Sequence, residues 1–350
     1  MKHQNLFIYN KWLHRFAVLT AAAAVSLIIA GATVTSTGSG DAVPDWPLSY
    51  GTLTPPMIGG ILFEHSHRLI AGLTGILIAI LAVWLWRKES RRMVGWMGMI
   101  ALAAVVVQAV LGGLRVLIVS TESVQDVAVQ LTGNASIEST RILITIAHAA
   151  LAQTVFSLIF AIAVMTSKYW LRAKPADISQ TGQSTIKKFS LTIAALIFSQ
   201  LILGALVRHT GAGLIIPDFP LSFGKIIPPF GHLPHNPNAP FPLTEFELTF
   251  KVALQFTHRV MAFIILGFVI YFYSKYRRGA QYAIFAKLLL ALTILQVSLG
   301  ALNIWTGKSV YTTVLHVAVG ALLLAFTVTL ILWNVKNEMR ASARFSPATV

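Results

Sequence analysis

The chain alternates long apolar runs with short clusters of charge. Runs of roughly 20 apolar residues, the length an α-helix needs to cross the hydrocarbon layer of a bilayer, occupy residues 16–36, 64–86, 93–114, 141–166, 188–208, 255–274, 281–303 and 312–334. The pattern predicts an all-α integral membrane protein with eight transmembrane helices. Composition agrees: 56% of the residues are hydrophobic, 11% are charged and the mean hydropathy is +0.72. That leaves little length for a separate soluble domain.

Charge adds orientation. Lys2, Lys11 and Arg15 precede the first run; Arg87, Lys88, Arg91 and Arg92 follow the second. The series continues with Lys168, Arg172, Lys174, Lys187 and Lys188, then Lys275, Arg277, Arg278 and Lys287, then Lys336, Arg340 and Arg344. If the loops alternate between two faces, most of the 27 Lys and Arg residues fall on one of them. The positive-inside rule then places both termini in the cytoplasm. The net charge of +15 is thereby explained by topology, and no nucleic-acid partner is expected. The absence of cysteine excludes disulfides, thiolate metal sites and catalytic thiols.

The sequence also repeats. Residues 37–51 read TGSGDAVPDWPLSYG and residues 210–224 read TGAGLIIPDFPLSFG. Further landmarks recur in the same order: His67 and Arg68 with His258 and Arg259, Gln108 and Gly112 with Gln296 and Gly300, and His148 with His316. The expected organisation is a four-helix bundle over residues 1–166, a linker over 167–187 and a second four-helix bundle over 188–350. An even number of spans per half gives the halves one orientation, related by a pseudo-twofold axis along the membrane normal. The repeat also makes the basic, Ala-rich N-terminus a membrane span rather than a signal peptide. The loop over 224–253, with Pro228, Pro229, Pro234, Pro237, Pro240 and Pro242, is expected to be an irregular cover.

Of ten histidines, four occupy repeated positions in apolar helices: His67, His148, His258 and His316. Two imidazoles facing each other across a four-helix bundle can clamp an iron porphyrin axially. A hydrogen bond between helices is the plainer reading of any one of them. A bare metal ion is the weaker alternative, since the second half offers no carboxylate beside its histidines. Arg68 and Arg259, next to two of the histidines, suit heme propionates or lipid headgroups; Arg115 and Arg208 are weaker candidates of the same kind. Gly112, Gly113 and Gly300 read as sites of close helix contact.

The halves differ at one telling position. Glu64 lies one helical turn before His67, and Gln255 stands at the matching place before His258. A carboxylate beside a heme can accept a proton or stabilise a cationic intermediate; an acid favoured by the helix dipole is the alternative. Chemistry is therefore expected in the first half, with an electron-carrying or structural heme in the second. His65 is unrepeated and reads as an interfacial residue.

Taken together, the eight spans, the TGSG and PDWP segments, the E-x-x-H-R order of Glu64, His67 and Arg68, and His148, His258 and His316 resemble the heme A synthase family over nearly the whole chain. The resemblance implies a membrane-embedded oxidoreductase that converts the C8 methyl of heme O, by successive hydroxylations, to the formyl group of heme A for terminal oxidases. It implies Glu64 as the catalytic carboxylate, His67 and His148 as the substrate-heme pair, and His258 and His316 as ligands of a second heme, heme b. Implied partners are heme O, membrane lipid, heme O synthase and cytochrome oxidase assembly. A cysteine pair common in the family's first external loop is replaced here by Val43 and Ser49, which rules out a thiol step there. The competing readings are a diheme b-type electron-transfer cytochrome, which has no use for the Glu64/Gln255 difference, and a transporter with parallel repeats. The bacterial plasma membrane is the expected location, as no Arg- and Ser-rich presequence precedes the first span.

Overall fold

The computed structural model describes residues 9–132, 136–173, 180–234, 243–278 and 282–345. Among these the chain is helical, with no strand beyond two isolated bridges. The helices are α1 (Lys11–Ser36), α2 (Gly59–Lys88), α3 (Arg92–Ser120), α4 (Glu122–Thr132), α5 (Ile137–Met165), α6 (Lys168–Arg172), α7 (Gln180–His209), α8 (Glu245–Tyr276), α9 (Ala283–Trp305) and α10 (Val310–Phe345). All but α4 and α6 are long and apolar enough to cross a membrane, so eight candidate spans stand among the described residues.

Local chemistry sets several helix ends beyond the expected ones. Thr244 and Glu247 form a capping box, so α8 begins ten residues before the apolar run and takes up part of the loop expected over 224–253. Pro237, Pro240 and Pro242 lie outside the described residues. Much of the expected linker over 167–187 is likewise helical. There α6 is anchored by Trp170, which is buried with its ring 5.3 Å from that of Trp333, and α7 begins at Gln180. Lys174 lies outside the described residues. The short helix α4 was not expected; Val124, Val127 and Ala128 give it one apolar face opposite Glu122, Gln125 and Asp126.

Helices α1, α2, α3 and α5 pack as one closed ring, and α7, α8, α9 and α10 as another. The rings meet through α5 against α10, α1 against α10 and α5 against α7. Exchanging α1 with α7 and α5 with α10 leaves this set of contacts unchanged. Ala24, Phe156, Ala321 and Ala325 form a small buried cluster at the junction. Small side chains let helices approach where lipid offers no hydrophobic drive. A larger core fills the end away from the two long loops, from Leu13 and Leu85 to Phe272 and Trp333. Outward faces carry exposed apolar residues such as Leu73, Ile76, Ile80, Val106 and Ile270, as lipid contact requires.

Within that core a polar network ties the second ring together. Tyr282 donates its hydroxyl proton to Asn334 Oδ1 at 2.7 Å, and Asn334 Nδ2 donates to Ser190 Oγ at 3.1 Å. Asn337 Nδ2 donates to the Tyr282 oxygen at 3.2 Å. All four side chains are buried. Replacing Asn334 with alanine leaves the buried Tyr282 hydroxyl without an acceptor, while Ser190 still donates to the Ile186 carbonyl, and is expected to cost about 1–3 kcal/mol. The measurement is the thermal unfolding midpoint in detergent, which should fall for Asn334→Ala and stay near wild type for a lipid-facing change such as Ile80→Ala.

Candidate functional site

The site grows from the two repeated loops. Each closes on a two-residue turn with both residues at positive φ: Tyr50 (54°) and Gly51 (70°) in one, Phe223 (56°) and Gly224 (74°) in the other. A bulky residue rarely adopts this conformation, and here an aspartate compensates for it. Asp45 accepts from the backbone N–H of Tyr50 at 2.7 Å and of Gly51 at 2.8 Å. Asp218 accepts from Phe223 and Gly224, both at 2.7 Å. Burial works to raise the Asp45 carboxyl, but these N–H donors and the nearby Arg68 charge hold it below its ordinary value, and Asp218 is lowered in the same way.

Arginine then ties each loop to its helix. Arg68 donates to the carbonyls of Asp45 (2.7 Å), Val43 (3.3 Å) and Leu48. Arg259 donates to those of Asp218 (2.7 Å), Ile216 (3.0 Å) and Leu221 (2.9 Å). Both arginines line the cavity described below, yet much of each guanidinium is committed to the loop. One turn earlier sit Glu64 and Gln255, each 3% exposed. Glu64 Oε2 accepts from Val43 N–H at 3.0 Å, and Gln255 Oε1 from Ile216 N–H at 2.7 Å. The remaining Glu64 oxygen pairs with Arg68 at 2.8 Å, whereas Gln255 Nε2 donates to the Gly213 carbonyl at 2.8 Å. His65, expected at an interface, is instead buried beneath the loop, hydrogen-bonded to Ser49 Oγ at 2.8 Å and the Leu53 carbonyl at 3.1 Å.

Under the loops lies a cavity of about 980 Å³, walled by helices of both rings, which His67, His148, His258 and His316 all line. Each imidazole rests against a glycine of the neighbouring helix. A Cβ on Gly31, Gly112, Gly204 or Gly300 would lie 3.0, 3.1, 3.1 or 3.3 Å from Cε1 of His67, His148, His258 or His316 respectively. Gly112 and Gly300 thus make close helix contact as expected, with a histidine as the neighbour. Gly113 instead faces the Trp46 ring, 2.7 Å from where its Cβ would stand. Gly31 and Gly204 were missed; their signal is that both stand six residues before the repeated TGSG and TGAG segments.

The polar atoms around these rings fit a porphyrin held by two imidazoles. His148 Nδ1 lies 3.1 Å from the Gln108 carbonyl, which leaves Nε2 with the lone pair a metal takes. Buried without a protein partner are Nδ1 of His67, His258 and His316 and Oε1 of Gln108, Gln200 and Gln296. Each of these glutamines stands four residues before one of the histidine-facing glycines; at the place before Gly31 stands Leu27. No group of three or more His, Asp or Glu side chains able to hold a bare ion occurs among the described residues. Two imidazoles per site suit a metal whose other ligands come from a macrocycle. Glu64 is the one carboxylate among the residues lining the cavity, against Arg68, Arg115, Arg208, Arg259 and Lys308; Lys308 was not anticipated.

Residues 60–328 match the model of the COX15-CtaA family, described as a cytochrome oxidase assembly protein. The chain is similar to the heme A synthase of Halalkalibacterium halodurans, 26% identical over 90% of this chain and 94% of that one. It is 27% identical to the heme A synthase of Geobacillus kaustophilus, over 87% and 85% of the two chains. With that of Shouchella clausii it shares 24% identity over 96% of this chain and all of the relative.

The lowered Asp45 pKa has a signed consequence. Because the folded value lies below the ordinary 3.8, its contribution to the loop is complete above pH 3.8 and is lost as pH falls through the folded value. Pepsin cleavage within residues 43–54 should therefore rise as pH is taken below about 3.8. Asp45→Asn, which lacks the charge, should be cut already at pH 5. Equal resistance of the two proteins at pH 5 would show that the carboxylate does not hold the turn.

Proposed function

This chain belongs to the COX15-CtaA family, and from that premise we propose that it is a heme A synthase oxidising the C8 methyl of heme O to the formyl group of heme A. Its eight candidate spans and its bacterial relatives support a multi-pass bacterial membrane protein. The proposal assigns substrate to the first ring, residues 1–166, between His67 and His148, and a b-type heme to the second, residues 188–350, between His258 and His316. Both termini are placed in the cytoplasm, so that the two loops cover the cavity from outside. Supply of heme O by the enzyme that makes it and hand-over of product to oxidase assembly are the corresponding partner proposals.

The observation that carries this reading is Glu64. In a frame where the loop, the arginine clamp, the histidines and their glycines recur, it is the carboxylate that its counterpart Gln255 replaces. One of its oxygens is fixed by Val43 N–H and the other by Arg68, so its position is set before substrate arrives. Glu64 is placed to accept a proton, or to supply negative charge, beside the reacting methyl group. His67 and His148 would hold the substrate macrocycle with Arg68 on its loop side, and Arg259 would stand at the matching place in the second ring. His258 and His316 would hold a b-type heme, which would supply one-electron transfer when bound. Family membership favours the synthase over the diheme carrier and the transporter.

Expressed with a source of heme O, Glu64→Gln should accumulate heme O and yield no heme A, with bound heme largely retained; heme A at wild-type level in extracted membranes would sink the assignment. His258→Ala or His316→Ala should remove the b-type absorption of the purified protein. Gly204→Leu, which drives a side chain into the His258 ring, should weaken or shift that absorption with His258 still present. An unchanged spectrum in all three would mean that the second heme is held elsewhere.

A further inference from the structure

Cations line the cavity in both halves, but only the first half neutralises them itself. There Arg68 pairs with Glu64 at 2.8 Å and Arg115 with Asp41 at 3.3 Å, and Arg141, which does not line the cavity, pairs with both Asp41 (2.9 Å) and Glu138 (3.0 Å). In the second half Arg259, Arg208 and Lys308 make no ion pair among the described residues. Arg259 donates to neutral carbonyls. Arg208, at the end of α7, donates to the Ala32 carbonyl and to Ser36 Oγ, both at 2.7 Å, and lies within electrostatic reach of His316. Lys308 sits at positive φ (62°) beside Gly213 at the cavity rim. Asp45 and Asp218, engaged by their turns, are alike in the two halves and do not create the difference.

We propose that Arg208 and Lys308 bind the carboxylates of the porphyrin in the second half and make it the retaining site, while the first half, with its cations already paired, is the site that releases. This rests on the assignment of cofactor and substrate to the two halves given above. The half-buried Arg208, which has no counter-ion among the described residues, gains strongly from an incoming carboxylate, and the exposed Lys308 at the rim adds a weaker, solvent-screened attraction. A guanidinium already bonded to a carboxylate gains less, and Glu64 repels the newcomer. A resident cofactor needs the first situation, and a substrate whose product must leave needs the second. The glutamines differ between the halves as well: Gln200 Nε2 donates to the His258 backbone carbonyl at 2.8 Å and Gln296 Nε2 lies 3.3 Å from His316 Nε2, whereas in the first half Gln108 Nε2 donates to the His148 carbonyl at 2.9 Å and Leu27 takes the fourth place.

The test is heme loss from the purified full chain to excess apomyoglobin, followed by absorbance, with the remaining heme identified by chromatography. Wild type should keep its b-type heme while the other heme leaves. Arg208→Gln combined with Lys308→Gln should speed loss of the b-type heme by about tenfold or more, the usual scale for one charge-assisted hydrogen bond, and Arg208→Lys should restore most of the retention. Asp41→Asn, which removes the carboxylate partner of Arg115, should slow loss from the first half. If the double variant keeps the b-type heme as wild type does, while His316→Ala removes it, the retention proposal is overturned and the assignment of halves stands. If the tightly held heme survives His316→Ala, the assignment of halves is what fails.

Discussion

The structure depends on a guanidinium meeting main-chain carbonyls at the edge of the membrane. A loop folded over an apolar cavity exposes peptide groups that neither water nor a sheet can satisfy, and such groups are costly to leave unpaired. Arg68 and Arg259 satisfy three carbonyls each and so fix the path of the loops. Once the path is fixed, Val43 N–H and Ile216 N–H stand where a residue one turn earlier on the helix must accept from them. That residue may be a carboxylate or an amide, because both offer an oxygen of the same shape. The loop thus requires an acceptor and leaves its charge open, which is how one frame carries two chemistries.

The difference in charge has a structural consequence that the first half resolves. Gln255 uses its oxygen for Ile216 and its N–H for the Gly213 carbonyl. A carboxylate has no proton to give, so the matching carbonyl, that of Gly40, needs another donor. Arg115 reaches it from α3, where the second half has Asn303. Arg115 in turn engages Asp41, and Asp41 engages Arg141 on α5, so one substitution is accompanied by a charged network across three elements. Replacing Glu64 alone with glutamine would leave Arg115 over a carbonyl that the glutamine also seeks. The two halves are locally self-consistent, and mixing them is not.

Much of this was legible before any coordinates. The eight spans follow from length and hydropathy, because a bilayer imposes both. The four histidines and the Glu64/Gln255 contrast stand out because duplication supplies an internal comparison. Helix ends were less legible: the capping box at Thr244 and the polar start of α7 lie outside the apolar layer, where hydropathy carries no signal. The amphipathic α4 was missed because eleven residues are too few to register as a membrane run. His65 looked peripheral because sequence spacing reports a helical face and cannot report a loop folding back onto it.

The glycines are the more instructive omission. In a membrane helix glycine is common and mostly signals close packing, so Gly31 and Gly204 have no distinction by composition. What distinguishes them is the ring across from them, and that partner lies on another helix at a separation no local pattern encodes. An imidazole that presents its outer nitrogen to a cavity must have its Cε1 edge against something, and only a residue without Cβ lets a backbone stand that near. Position relative to the repeated TGSG and TGAG segments would have found both, since the same helix ends in the same loop and must place the same clearance beside the histidine. For a duplicated membrane chain, then, the paired small residue is as informative as the paired ligand, because it records where a second helix needed room.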